Sequence, residues 1–131
     1  MESPHSSPMT IDANIVIAYL NGDERVINIL TQWREEGRPL FLSTVAESEV
    51  LSFSSWTPEE RHATEEFLEE NFTSIAFDRM ISRVAAKIRR ETKVKFPDAA
   101  IAATALFTHT AIVTRNRRDF KHISGLDMVT F

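Results

Sequence analysis

The spacing of apolar residues switches along the chain between a period of two and a period near 3.6. Residues 9–12 read as a short strand, and residues 14–20 are apolar enough for a helix after it. Asn21-Gly22-Asp23 makes a turn in which Asp23 caps a second helix running to about Glu36. Gly37 ends that helix, and residues 39–43 form a second strand. Residues 44–53 read as a helix with Val45, Val50 and Leu51 placed to pack inward. Thr57-Pro58-Glu59-Glu60 joins a capping threonine, a first-turn proline and a glutamate three positions after the cap, which starts a helix reaching about Asn71. A third strand is expected over 74–77. Asp78 then begins a helix in which Met80, Ile81, Val84, Ala85 and Ile88 recur at helical spacing. Pro97-Asp98 opens a helix over 99–107 that is apolar almost all round and so expected to be deeply buried. A fourth strand over 111–114, a short helix over 117–122 and a last strand over 128–131 complete the pattern.

Strands alternating with helices imply an α/β fold, a parallel sheet of four to five strands with helices on both faces. Residues 9–131 then form one domain, preceded by a disordered lead-in of Ser and Pro over 1–8. A length of 131 residues suffices for a proper core, and 43% hydrophobic residues fits a soluble globular chain. No run approaches the ~20 apolar residues of a membrane helix, and the N-terminus lacks the pattern of a signal peptide. With no cysteine, disulfides and thiolate metal sites are excluded, and a cytoplasmic location is expected.

The net charge of -4 weighs against gripping nucleic acid by bulk electrostatics, and leaves local basic patches or bridging metal ions. The charge is also uneven. Six glutamates fall within 59–70, and seven basic residues (Arg79, Arg83, Lys87, Arg89, Arg90, Lys93 and Lys95) within 79–95. The plain interpretation is two solvated helix faces. The sharper one makes the basic stretch part of a polyanion-binding face.

In parallel α/β folds, sites lie at the carboxyl ends of the strands. Asp12 ends the first strand, Asn116 and Asp119 follow the fourth, Asp98 opens the buried helix, and Glu49 lies on the helix after the second strand. A parallel sheet brings these to one edge. Each alone has an ordinary explanation: a cap for Asp98, Asn14 or Asn116, a turn for Asp12, a solvated position for Glu49, a pairing with Arg115 or Arg118 for Asp119. Together they crowd like charges, a cost that a hard divalent cation removes. Mg²⁺ or Mn²⁺ prefers carboxylate and water oxygens. One or two such ions serve phosphodiester hydrolysis. The four histidines have no paired spacing, so a zinc site is not expected, and three glycines cannot build a phosphate-binding loop.

Four segments in order, Ile11-Asp12-Ala13-Asn14-Ile15, the stretch from Leu42-Ser43-Thr44 through Glu47-Ser48-Glu49-Val50-Leu51, Phe96-Pro97-Asp98-Ala99-Ala100, and Thr114-Arg115-Asn116-Arg117-Arg118-Asp119-Phe120, resemble those of PIN domains. Within these the chain resembles the VapC-like ribonuclease toxins of toxin–antitoxin modules, from about Met9 onward. The resemblance implies a three-layer α/β/α domain with an acidic pocket for Mg²⁺ or Mn²⁺. It assigns Asp12, Glu49, Asp98 and Asp119 as catalytic, metal-binding residues. Glu47 competes with Glu49, but two residues apart on a helix they point roughly 200° apart and cannot share one site. Asn116 stands where some members have aspartate, so it is kept as a polar ligand or substrate contact. Asn14, Ser43, Thr44 and Thr114 are expected to support the ligands, Ser43 or Thr44 holding Asp12 or a water. Arg115, Arg117, Arg118 and Lys121 are expected to hold flanking phosphates or to pair with Asp119.

The implied function is a Mg²⁺-dependent endoribonuclease leaving a 5′-phosphate and a 3′-hydroxyl, the toxin of a toxin–antitoxin pair. Its implied partners are RNA, a cognate antitoxin lying over the pocket, and a second copy of the chain. Trp33 and Trp56 suit such interfaces, or the edge of the core. Two alternatives remain: a binding module of the same fold without activity, and an aspartyl-phosphate protein. The second lacks a paired aspartate after Asp12 and a lysine directly after the fourth strand.

Overall fold

The computed structural model describes residues 7–130. Residues 1–6 of the expected lead-in, and Phe131 of the expected last strand, lie outside them. In chain order the elements are β1 (Met9–Ile11), α1 (Ala13–Leu20), α2 (Glu24–Glu35), β2 (Leu40–Ser43), α3 (Thr44–Leu51), α4 (Pro58–Asn71), β3 (Thr73–Ile75), α5 (Arg79–Glu91), α6 (Phe96–Thr108), β4 (Ala111–Thr114), α7 (Arg117–Phe120) and β5 (Met128–Thr130).

The five strands form one sheet in the order β3-β2-β1-β4-β5, and every neighbouring pair is parallel. A parallel sheet buries both faces under its crossover helices. Met9, Thr10 and Ile11 of the central strand are accordingly all buried, although their side chains alternate between faces. The edge strands β3 and β5 are partly open. The result is the three-layer α/β/α arrangement.

Local chemistry sets the boundaries. Asp23 caps α2 by accepting from the Arg25 and Val26 amides, and Gly37 takes φ +75° just after α2, a conformation costly for other residues. Thr57 and Glu60 form a complete capping box at the start of α4. Asp78 caps α5 through the Ile81 amide. The third strand starts one residue earlier than expected and ends two earlier, because Phe72 ends α4 in extended geometry and pairing with β2 runs from Thr73 to Ile75.

α6 is the keystone of the core. Ala99 through Ala105 are all buried, and its small side chains let it pack against β1, β2 and β4 as well as α5. α5 turns Ile81, Ala85 and Ile88 inward and leaves Arg79, Arg83, Lys87, Arg89 and Arg90 exposed. Trp33 and Trp56 are half-buried against the core rather than free on the surface. No helix among the described residues is long and apolar enough to cross a membrane.

Ile101 is fully buried at the middle of α6. Truncation there leaves a cavity as well as losing transfer energy, so Ile101→Ala is expected to lower unfolding stability by about 2–5 kcal/mol in a urea titration. A loss under about 1 kcal/mol would mean that α6 is not the centre of the core.

Candidate active site at the carboxyl edge of the sheet

β1 and β4 are adjacent although about a hundred residues separate them, and their ends build the centre of the site. Asp12 follows β1 directly, with its amide donating to Val113 O at 3.0 Å, which fixes it against β4. It occupies the N-cap position of α1, is 4% exposed, and makes no capping hydrogen bond of full geometry. Its carboxylate instead accepts from Thr114 Oγ1 at 2.7 Å. Burial raises the Asp12 carboxyl from 3.8 to about 6, against the pull of the Thr114 hydroxyl, and the charge of Asp98 raises it further.

Three other acidic side chains reach the same edge. Asp98 lies in the first turn of α6, where Lys95, not Asp98, takes the cap position. Its carboxyl is raised by burial and by the charge of Asp119, while Lys95 opposes the shift. Glu49, near the end of α3, is raised by partial burial and by the charges of both Asp12 and Asp98. Glu47 lines a separate cleft with Leu42, Leu68 and Phe72. Asp12, Glu49, Asp98 and Asp119 therefore form one chain of mutually repelling charges, and Glu47 is not part of it.

The polar surroundings are held by Thr114. Its Oγ1 also accepts from the Asn116 amide at 2.9 Å and meets Asn14 Nδ2 at 3.4 Å. Asn14 and Asn116 line the cleft beside α1, and neither lines the cavity that holds Asp98. Ser43 and Thr44 do not hold Asp12. Although β2 flanks β1 as β4 does, Ser43 Oγ is turned to cap α3 through the Val45 amide, and Thr44 Oγ1 accepts from the Phe77 amide.

The arginines divide. Arg115 forms an ion pair with Asp23 in the α1–α2 turn, so it does not pair with Asp119. Arg117 is exposed at the start of α7, and Lys121 is exposed just past its end. Arg118 lines a cavity of about 300 Å³ together with Asp98, Asp119, Lys93, Lys95 and His122. The roles of Asp23 and Lys95 went unmarked in the sequence. Asp23 has the signature of a cap only, whereas Lys95 carried a usable signal in standing three positions before Asp98.

The donor set can be tested against a metal ion. Among the described residues no group of three or more His, Asp or Glu is gathered tightly enough to hold an ion by itself. The donors are nevertheless all carboxylate oxygens, crowded at the expense of their own ionisation. Mg²⁺ keeps several waters and needs only one or two carboxylates, so Asp12 and Asp98, with Glu49 and Asp119 on either side, fit a hydrated hard cation.

The PIN domain family pattern matches residues 9–126. No curated protein matches the chain. Among solved structures, the fold is similar to VapBC2 from Rickettsia felis bound to a DNA fragment from their promoter, with TM-score 0.82 and 19% identity over 95% of this chain and 98% of that one. A toxin–antitoxin complex from Klebsiella pneumoniae is similar at 29% identity and TM-score 0.78, over 93% and 96%. DNA-bound VapBC from Salmonella typhimurium gives TM-score 0.81 at 21% identity, over 94% and 97%. The family match covers the whole sheet edge on which Asp12, Glu49, Asp98 and Asp119 stand, and the chain belongs to the PIN domain family.

Proposed function

We propose that this protein is a divalent-metal-dependent endoribonuclease and the toxin of a toxin–antitoxin pair. The observation that carries the reading is the electrostatic chain Asp12, Glu49, Asp98 and Asp119 at the carboxyl edge of the sheet. Carboxylates held against their own repulsion suit a cation, and PIN family membership supports a nuclease as the use made of it. Similarity to toxin–antitoxin complexes supports the toxin role. Asp12 and Asp98 would hold Mg²⁺ or Mn²⁺, with Asp119 beside Asp98. When bound, the cation supplies charge neutralisation for a phosphodiester and a more acidic water. Asp119 is preferred to Asn116 as the fourth acid because its charge acts on Asp98 and it lines the same cavity, whereas Asn116 lines the cleft beside α1.

The chain's own groups account for the remaining steps. Thr114 orients the Asp12 carboxylate and the Val113 carbonyl fixes its backbone. Glu49 is exposed and more basic than an ordinary glutamate, so it can accept a proton from a water placed between it and Asp12. In-line attack of that water's oxygen on phosphorus would break the P–O3′ bond, leaving a 5′-phosphate on one fragment and a 3′-oxygen that takes a proton from solvent to become a hydroxyl. An apolar groove of about 650 Å³ adjoins Glu49, lined by Ile17, Phe53 and Trp56 among others. A protein partner seated there would close one side of the site, which is the place we assign to the antitoxin.

Asp98→Asn is expected to lower cleavage of single-stranded RNA in Mg²⁺ by about 100-fold or more. Wild-type expression is expected to arrest growth where Asp12→Ala does not, with 5′-phosphorylated ends on the cut RNA. Wild-type rates in Asp98→Asn would remove the proposal.

Asp12 also makes stability depend on pH. Its folded value, about 6, lies above the ordinary 3.8, so the native state binds the proton more tightly. Stability from this group is therefore fullest below pH 4 and is lost as pH rises toward 6. Asp12→Asn removes the penalty and keeps an acceptor for Thr114. Metal-free, the variant is expected to exceed wild type by on the order of 3 kcal/mol at pH 7.5 and to match it near pH 4. Mn²⁺ is expected to raise the melting temperature of wild type more than that of the variant. Equal stabilities at both pH values would show that Asp12 is not strained by burial.

A further inference from the structure

The site opens in two directions of opposite character. Toward α1, α3 and α4 it meets the apolar groove, which carries Glu60 as well as Glu49 and would repel a polyanion. Toward the α5–α6 connection and α7 it meets the cavity of about 300 Å³, where Lys93, Lys95, Arg118 and His122 surround Asp98 and Asp119. That volume is at the lower end of small-ligand cavities. Lys93, Lys95 and Arg118 are exposed, and among the described residues none of them forms an ion pair, in contrast to Arg115. Lys95 stands close enough to Asp98 to lower its pKa. The basic run of the sequence thus splits. Its α5 portion lies on a solvated helix face, and its last two lysines leave the helix and turn into the site.

We infer that Lys93, Lys95 and Arg118 form a phosphate track that carries the single strand away from the scissile bond, with the His122 ring offering a face for the adjoining base. This rests on the nuclease reading and adds which exit the strand takes. Phosphates need cations not tied up in ion pairs, and these three form none among the described residues while bordering two of the site's acids. Their opposite charge also offsets the repulsion that Asp98 and Asp119 would exert on an approaching backbone. Imidazole stacking under an unpaired base is a common means of holding single strands.

The test measures binding, not turnover. In an Asp12→Asn background, a fluorescein-labelled twelve-nucleotide single-stranded RNA of mixed sequence is titrated at several salt concentrations. Lys93→Gln/Lys95→Gln is expected to weaken binding about tenfold or more at low salt. It is also expected to reduce the slope of log K against log salt by about 1.4, two phosphates at ~0.7 each. Arg79→Gln/Arg83→Gln removes the same charge from the far end of α5, at least about 15 Å along the helix from Lys93, and is expected to leave the slope unchanged. A DNA strand of the same sequence is expected to lose affinity in parallel, because the contacts are to phosphate. Equal slopes for the two double variants would overturn the track while leaving the nuclease reading intact. RNA binding with the expected slopes, but no cleavage by wild type in Mn²⁺, would sink the nuclease reading and leave the track standing. No RNA binding by the Asp12→Asn parent at any salt would overturn the track.

Discussion

A carboxylate loses most of its hydration when it is buried, and among the described residues no positive charge acts on Asp12 to compensate. Everything around it answers that constraint. The Thr114 hydroxyl and the Val113 carbonyl meet Asp12 from β4, and the start of α1 faces it from the other side. The Thr114 hydroxyl and the first amides of α1, as donors to the carboxylate, offset the cost only in part, since the carboxyl still sits near 6. What remains is a standing tension, extended through Asp98 to Asp119 and outward to Glu49. The fold can sustain it because the apolar core is large and close by.

α6 links the core to that tension. Its run of alanines from Ala99 lets backbone approach sheet closely, and Asp98 is the last residue before the run begins. Larger side chains along this face would push the helix off the sheet and carry Asp98 away from Asp12. The identity of small residues in the core is in this sense part of the site's geometry, although none of them touches it.

Most of the architecture was legible because it rests on local rules. Alternating periods, the Thr57–Glu60 box, the Asp23 cap and Gly37 located the helices and their order, and alternation alone implied the parallel sheet. The choice of Glu49 over Glu47 agrees with helical geometry and with the two clefts on which they fall. What local rules missed was pairwise. The support of Asp12 by Thr114 rather than Ser43 or Thr44 depends on which strand lies beside β1 in the direction of the carboxylate. The capture of Arg115 by Asp23 joins residues 92 positions apart. Asp98 looked like a cap because Pro97 precedes it, yet Pro at an early helical position moves the cap back to Lys95.

The strand order has a temporal side. Asp12 leaves the ribosome before Thr114, which follows 102 positions later. At roughly 5–20 residues per second, about 5–20 s separate the two. Through that interval β1 has β2 on one flank and nothing on the other, and Asp12 is an ordinary hydrated carboxylate. The Asp12–Thr114 contact comes into being when β4 docks, and α7 then brings Asp119. A nascent or truncated chain that ends before β4 holds three of the four acids but neither Thr114 nor Asp119, so the acidic edge is complete only once β4 and α7 have been made.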